Sequence, residues 1–500
     1  MLAAVRSATL VGVDGQPVTV EVHVSSGLPS YSVVGLPDTA VRESRERVRA
    51  AMLSSNLPWP QTRITVNLAP GAVRKTGAGL ELAVALGLLA ASDTLPAGCL
   101  DGVGVLGELG LDGSVRPVPG TLALVDELAR GGVESVVVPI ANAAEAALIR
   151  DVHVRAARSL GELRACIKGE LPWPDWHTSS ADDSSDSDDD EPLDLRDVCG
   201  VSFARRALEV AAAGSHHLLY VGPPGTGKTM LARRLPTILP ALEHHEALDV
   251  TRIHSAAGHA IGGRLLTRRP FRAPHHTAST PALVGGGSGR PRPGEVTLAH
   301  RGTLFLDELG EFAPSALDAL RQPLEERVVR ISRQPTSLTF PAAFQLIACS
   351  NPCPCGIGPP NCRCTEAQRS RYLRRLSAPF LDRFDLRVRV TAPESKDRPG
   401  ETSSAVAARV AAAVDRQRAR YADWTWSSNS YVPAGAVDRL LPLSVDAFDA
   451  WRGLIESREF TGRGAARVRR VARTLADLDD VVDISAAHIA TAAEFRGDVP

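Results

Sequence analysis

Leu218-Leu219-Tyr220-Val221-Gly222-Pro223-Pro224-Gly225-Thr226-Gly227-Lys228-Thr229 passes from four apolar residues into a Gly/Pro-rich turn, and the chain restarts as Met230-Leu231-Ala232-Arg233-Arg234-Leu235. The apolar run fits a buried strand and the restart fits a helix, so the turn joins strand to helix. Gly222, Gly227, Lys228 and Thr229 match G-x-x-x-x-G-K-[ST], in which small residues let backbone N–H groups converge on a polyphosphate at a helix N-terminus. Pro223, Pro224, Gly225 and Thr226 complete the loop. Lys228 is placed to reach the β- and γ-phosphates of ATP, and the Thr229 hydroxyl to ligate Mg²⁺. Background composition did not supply this lysine: only Lys75, Lys168 and Lys396 accompany it. The bland alternative, a fortuitous Gly/Pro loop, does not account for the flanking strand and helix.

Downstream, Thr303-Leu304-Phe305-Leu306-Asp307-Glu308 is an apolar strand ending in two carboxylates. Asp307 suits the Mg²⁺ shell and Glu308 the polarisation of an attacking water. Alone this is common, since many strands end in an acidic loop; behind a phosphate loop it gains force. Residues 343–350 read as the next buried strand, with Asn351 at its end, where a polar side chain can hold the water or the γ-phosphate. Arg383, in Leu381-Asp382-Arg383-Phe384-Asp385, precedes one further strand. It is the candidate arginine finger, stabilising transition-state charge from a neighbouring subunit. In order these motifs are the signature of an AAA+ ATPase with a parallel α/β core.

The whole chain is consistent with such a motor. Its 500 residues with 44% hydrophobic content suggest two or three domains, each with its own core. The net charge of −1 gives no whole-chain nucleic-acid signature, so a DNA-binding surface has to be local. The start reads as strand and not as a signal peptide, and the longest apolar run, residues 82–91, is too short to span a bilayer. The expectation is a cytoplasmic protein with reduced thiols and no membrane association. Residues 178–191 are acidic and carry no apolar residue except Ala181, the composition of a solvated tether, and mark the main domain boundary. Mimicry of nucleic-acid charge is the alternative reading of that tether.

Before the tether, residues 9–24 read as strands about an Asp14-Gly15 turn, and residues 38–54, 80–91, 121–130 and 141–150 as helices. Residues 63–68 and 135–139 read as strands, and residues 101–119 as strands about Asp112-Gly113. Gly107-Glu108-Leu109, Gly113-Ser114-Val115-Arg116-Pro117-Val118-Pro119-Gly120 and Val136-Val137-Val138-Pro139 resemble the Lon-protease-type α/β fold. That likeness raises the rival function of an ATP-dependent protease. A Ser-Lys dyad needs a hydroxyl and an activating amine. In alignment with the Lon motifs, Gly79 falls on the serine position and Leu122 on the lysine position, so the domain is read as non-catalytic.

Between the two Walker motifs, Arg268-Arg269-Pro270-Phe271-Arg272-Ala273-Pro274-His275-His276-Thr277, Leu283-Val284-Gly285-Gly286-Gly287 and Pro291-Arg292-Pro293-Gly294-Glu295 resemble the magnesium-chelatase-like AAA+ proteins. More specifically they resemble the YifB/ComM family. The resemblance implies a Lon-like α/β domain over 1–172, an acidic linker over 173–192, a P-loop AAA+ core with a parallel sheet over 193–395, and a helical C-terminal lid over 396–500. It implies a homo-oligomer, a hexamer in the family's DNA-remodelling members. Those members are helicases that drive branch migration in recombination and natural transformation. The alternatives are a chaperone-like protein-remodelling motor and, more remotely, tetrapyrrole metal insertion or Lon-like proteolysis.

Four further features carry expectations. Residues 328–340 read as two alternating strands about Gln334-Pro335-Thr336; in the wider clade such a hairpin faces the ring channel, where Arg330 and Arg333 can track a DNA backbone. A solvated hairpin face is the competing reading. Cys353, Cys355, Cys362 and Cys364 form C-x-C-x₆-C-x-C, which matches a structural Zn²⁺ site or else a set of redox-labile thiols. His275 and His276 are adjacent, do not face one another, and are read as structural or substrate contacts. The lid is read as helices over 403–421, 445–456, 464–476 and 484–495. Within it Arg463 falls on the family's sensor-2 position, which reaches the γ-phosphate in cis.

Overall fold

The period-two pattern of Leu2–Val11 and Asp14–Ser25 builds the longest strand pair among the described residues, with Val5 opposite Val20 and Leu10 opposite Gly15. The structure, a computed structural model, describes residues 1–71, 75, 77, 79–176, 193–287, 291–333, 336–358, 361–391, 399–457 and 461–497. The side chains of 39, 40, 42, 333 and 336 lie outside that description. So do most of the acidic tether, the hairpin tip at 334–335 and residues 74, 76 and 78 of the Lon-like motif. Two compact units emerge, one of residues 1–187 with 244–266, the other of 188–243 with 267–500.

The first unit is a seven-stranded mixed sheet, in the order Ser30–Val34, Arg63–Ala69, Asp14–Ser25, Leu2–Val11, Val103–Val105, Ser135–Pro139, His153–Ala157. Alternation splits its side chains between two cores: Val137 joins the core beneath helices Thr39–Ser54 and Glu81–Ala91, while Val136 and Val138 join the core beneath Thr121–Arg130 and Ile140–Ala146. Leu122 lies fully buried in that second core. The hairpin turn differs from expectation. It falls at Gly12-Val13, with Gly12 at φ 68°, because Gly15 is inside the strand. A Cβ on Gly15 would stand 2.4 Å from the Ala123 carbonyl oxygen, so this glycine serves close packing of helix on sheet.

Helix His244–Ala256 also belongs to this unit, although it lies between the Walker motifs in sequence. Leu248 and Ala256 pack on the second core, the Gly120 N–H donates to the Ser255 carbonyl at 3.1 Å, and the Ser255 hydroxyl bonds the Glu145 carboxylate. Burial raises the pKa of Glu145, although Ser255 and the Leu122 N–H oppose that rise.

The second unit holds an all-parallel five-stranded sheet in the order Phe271–Arg272, Thr303–Leu306, Gln345–Ser350, Leu218–Val221, Leu386–Arg389. Its central strands are buried throughout, as near-continuous apolar sequences require. Helices Ser403–Arg420, Val445–Glu456, Gly462–Leu478 and Ala486–Glu494 form the lid and share one apolar core with the sheet, through Val410, Val468, Val471 and Ile489 among others. Among the described residues no helix is long and apolar enough to cross a membrane.

Candidate nucleotide site

Parallel pairing brings three strand ends to one edge. Val221 lies opposite Ser350 and Leu306 opposite Ala348, so the phosphate loop, Asp307 and Asn351 leave the sheet side by side. Gly225 and Gly227 sit at φ 77° and 87°, conformations that a side chain would strain, and Gly227 leads directly into helix Lys228–Arg234.

The side chains converge on a cavity of about 360 Å³ lined by Lys228, Thr229, Asp307, Glu308 and Asn351 with residues 224–227. The Lys228 ammonium donates to the Gly222 and Pro223 carbonyls at 2.7 Å and reaches the Asn351 side-chain oxygen at 3.5 Å. Burial lowers its pKa. The Thr229 hydroxyl donates to Asp307 Oδ2 at 2.9 Å, so two hard oxygen donors meet at one point, the donor set a Mg²⁺ ion favours. Glu308 follows with φ 50°, a left-handed backbone uncommon for a side-chain-bearing residue, and its N–H donates to Asp307 Oδ1 at 2.9 Å. His276 Nδ1 stands 3.3 Å from Glu308 Oε2, while its ring meets Phe312 edge-on. The sequence reads His276 as a structural or substrate contact; the parallel pairing of Phe271–Arg272 with Thr303–Leu306 is what delivers it to the carboxylate.

Arg383 lies apart from this cavity. It is buried, donates to the Pro379 carbonyl at 3.1 Å and pairs with Glu325 at 2.5 Å. With Arg327, Arg467, Arg470, His217 and Tyr431 it lines a second cavity of about 360 Å³. Arg467 Nη1 donates to the Arg383 carbonyl at 2.9 Å and to Asp385 Oδ1 at 3.0 Å. Burial alone would push the Asp385 carboxyl up, but the His216 hydrogen bond and the Arg467 charge hold it far below the usual carboxylate range. The Nε atoms of Arg383 and Arg470 are buried without a partner among the described residues.

Arg463 takes a different place. It is exposed in the first turn of Gly462–Leu478, and the cavity at the phosphate loop is lined without it. One turn on, Arg467 is the lid arginine that meets Arg383. Arg330 is exposed on strand Val328–Arg333, beside Glu326, with which it forms an ion pair. Arg333 is described in its backbone alone. The sulfurs of Cys353, Cys355, Cys362 and Cys364 all lie within 4.8 Å of one another.

Three family models match in turn: magnesium chelatase, subunit ChlI, over residues 194–398; subunit ChlI of Mg-chelatase over 20–142; and the ChlI C-terminal model over 400–496. The chain is 41% identical to YifB of Escherichia coli over 505 residues, covering 99% of this chain and 97% of that protein. It is 40% identical to the competence protein ComM of Haemophilus influenzae over 507 residues, covering 100% and 98%. The chain belongs to the YifB/ComM family of magnesium-chelatase-like AAA+ proteins. Part of this YifB/ComM-family chain is also 29% identical to Lon protease 2 of Bacillus subtilis over 199 residues, 35% of this chain and 36% of that protein. The mixed sheet and the parallel sheet of the YifB/ComM-family protein agree with the α/β class read from sequence.

Proposed function

We propose that this protein is a Mg²⁺-dependent ATPase that assembles as a hexamer and couples hydrolysis to DNA remodelling, of the helicase or branch-migration kind. The observation that carries the ATPase reading is the convergence of Lys228, Thr229, Asp307, Glu308 and Asn351 on one cavity at the carboxyl edge of a parallel sheet. In this reading Lys228 would turn from its loop carbonyls to the β/γ-phosphates, and Thr229 and Asp307 would hold Mg²⁺, whose charge would offset that of the phosphate oxygens. Glu308 orients and polarises the attacking water, and Asn351 positions it. Arg383 completes the site of a neighbouring subunit. Its separation from its own phosphate loop and the unpartnered Nε atoms of Arg383 and Arg470 support that role. Arg463, exposed in this structure, is proposed to reach the γ-phosphate only when the lid moves in the working cycle.

The DNA reading rests on family membership with a competence protein and on Arg330, exposed on its hairpin strand. Glu308→Gln keeps the shape of the side chain and removes the base, so turnover falls by about 10²-fold or more while ATP still binds. The same variant held in ATP is expected to run as a hexamer by native mass spectrometry. Single-stranded and forked DNA are expected to stimulate the wild-type ATPase, and a labelled strand to leave a fork only with ATP. Turnover indifferent to DNA would transfer the motor to a protein substrate, and unchanged turnover in Glu308→Gln would remove the ATPase reading itself.

A further inference from the structure

Cys353 and Cys355 follow Asn351 at the end of the central strand Gln345–Ser350, and Cys362 and Cys364 follow a short Gly/Pro-containing loop. All four thiols are free, with Cys353 buried and the others half-buried. Their sulfurs stand 3.3 Å apart for Cys353 and Cys355, 3.8 Å for Cys355 and Cys362, and 3.5 Å for Cys362 and Cys353. Four sulfurs at about 2.3 Å from one tetrahedral ion lie roughly 3.8 Å from each other. The cluster therefore already has the size of a tetrathiolate shell, and its spacings are too long for a disulfide, whose sulfurs sit about 2.05 Å apart. Two backbone N–H groups point at the sulfurs, Gly358 to Cys353 and Cys364 to Cys362, each at 3.4 Å, as outer-shell donors do for thiolate ligands.

The surroundings tie this cluster to the phosphate loop. A Cβ on Gly356, at φ 80°, would stand 2.9 Å from Pro224 Cδ, so the cysteine loop rests directly on the loop that cradles phosphate. The residue after Cys364, Thr365, caps helix Glu366–Leu373 in a reciprocal pair with Gln368. From that helix Tyr372 reaches Ser350 at 3.5 Å and packs so closely on Gly310 that a Cβ there would stand 2.3 Å from its ring. Arg375 just beyond donates to the Gly310 carbonyl at 2.8 Å. The cysteine loop and its helix thus touch the phosphate loop, the strand that ends at Asn351 and the turn that follows Glu308.

We infer that Cys353, Cys355, Cys362 and Cys364 bind one Zn²⁺ ion, and that this centre braces the phosphate loop and Asn351 in register. Four soft ligands in a closed shell favour zinc over the oxygen-seeking Mg²⁺ of the nucleotide site and leave no open position for catalysis. The bracing half rests on the ATPase reading above; the metal half does not.

Full-length protein purified without chelator is expected to carry one zinc per chain by elemental analysis. Replacement by Co²⁺ should give intense sulfur-to-cobalt charge-transfer bands in the near ultraviolet and the visible bands of a tetrahedral ion. Protein free of zinc after growth in zinc, or a pale octahedral cobalt spectrum, overturns the site. Cys362→Ser with Cys364→Ser should lose the metal and slow ATP turnover by about 10- to 100-fold, the scale that a misplacement of roughly 1 Å produces. Should that variant fold poorly, chelation and re-addition of zinc to the wild-type protein replaces it. Turnover that falls with removal and returns with zinc supports the brace, and turnover indifferent to metal content overturns it. Zinc content is read without ATP, so failure of the ATPase reading leaves the metal result intact.

Discussion

Glu308 combines two features that bear on one another: a left-handed backbone at φ 50° and a carboxylate held 3.3 Å from His276 Nδ1. An exposed carboxylate on a short turn has several rotamers, and a partner that selects one of them lowers the cost of reaching the geometry of water attack. His276 lines no part of the nucleotide cavity. His276→Ala is therefore expected to lower kcat by about tenfold and leave KM nearly unchanged, the pattern of an interaction used after ATP is bound. Steady-state kinetics decide this, and a change confined to KM would make His276 a binding residue.

His217 has a different use. Burial and the charges of Arg467, His216 and Arg327 drive its pKa from 6.5 to about 4, against the pull of Asp385, and its Nδ1 accepts the Leu346 N–H at 3.0 Å. The unfolded chain takes up a proton near pH 6.5 that the folded chain refuses until about pH 4. Stability is then full above the first value and is lost as pH falls toward the second, by about 2 kcal/mol at pH 5. His217→Asn keeps an acceptor for Leu346 and cannot titrate, so the loss between pH 7.5 and pH 5 should shrink in denaturant titrations of the variant.

At the level of elements, the strand hairpin follows its sequence closely. Val329 faces Phe340 and Ile331 faces Leu338 on the covered side, while Arg330 faces Thr339 and Ser332 faces Ser337 on the other. Replacing Arg330 and Arg333 by Ala is expected to flatten the salt dependence of single-stranded DNA binding by about 0.7 in log–log slope for each phosphate that is no longer neutralised. A slope equal to that of the wild type would take the hairpin out of the interface. Such elements were legible because strand alternation and the phosphate-loop spacing are local properties of backbone and side chain. Strand Ser30–Val34 was not, since only Tyr31 and Val33 of its five residues turn toward the core and both stay half-buried, too short an alternation to stand out. His276 and Glu308 come together through a parallel strand pair that no local pattern announces. Arg463 and Arg467 differ by a single helical turn, and only packing decides that Arg467 meets Arg383.

For the molecule as a whole, the division of the chain is not the linear one. Residues 244–266 interrupt the stretch between the Walker motifs, yet they fold with the N-terminal unit. Helix His244–Ala256 sets Leu248 and Ala256 against the core that contains Leu122 and Val125, with Arg252 at 3.7 Å from Asp14 and 3.8 Å from Asp126. Surface ion pairs of this length contribute little, so apolar packing is what holds the helix. A helix of thirteen residues is marginal by itself in water, because nucleation is costly and each later turn adds little. A chain shortened to residues 193–500 should therefore keep its five-stranded sheet, whose apolar core lies wholly in the second unit, and lose order in 244–266. Hydrogen exchange is the direct measurement. Amides of 244–256 are expected to exchange within seconds in the shortened chain and to be protected in the full one, while those of Leu218–Val221 stay protected in both. Continued protection of 244–256 in the shortened chain would mean that the helix stands without the N-terminal unit.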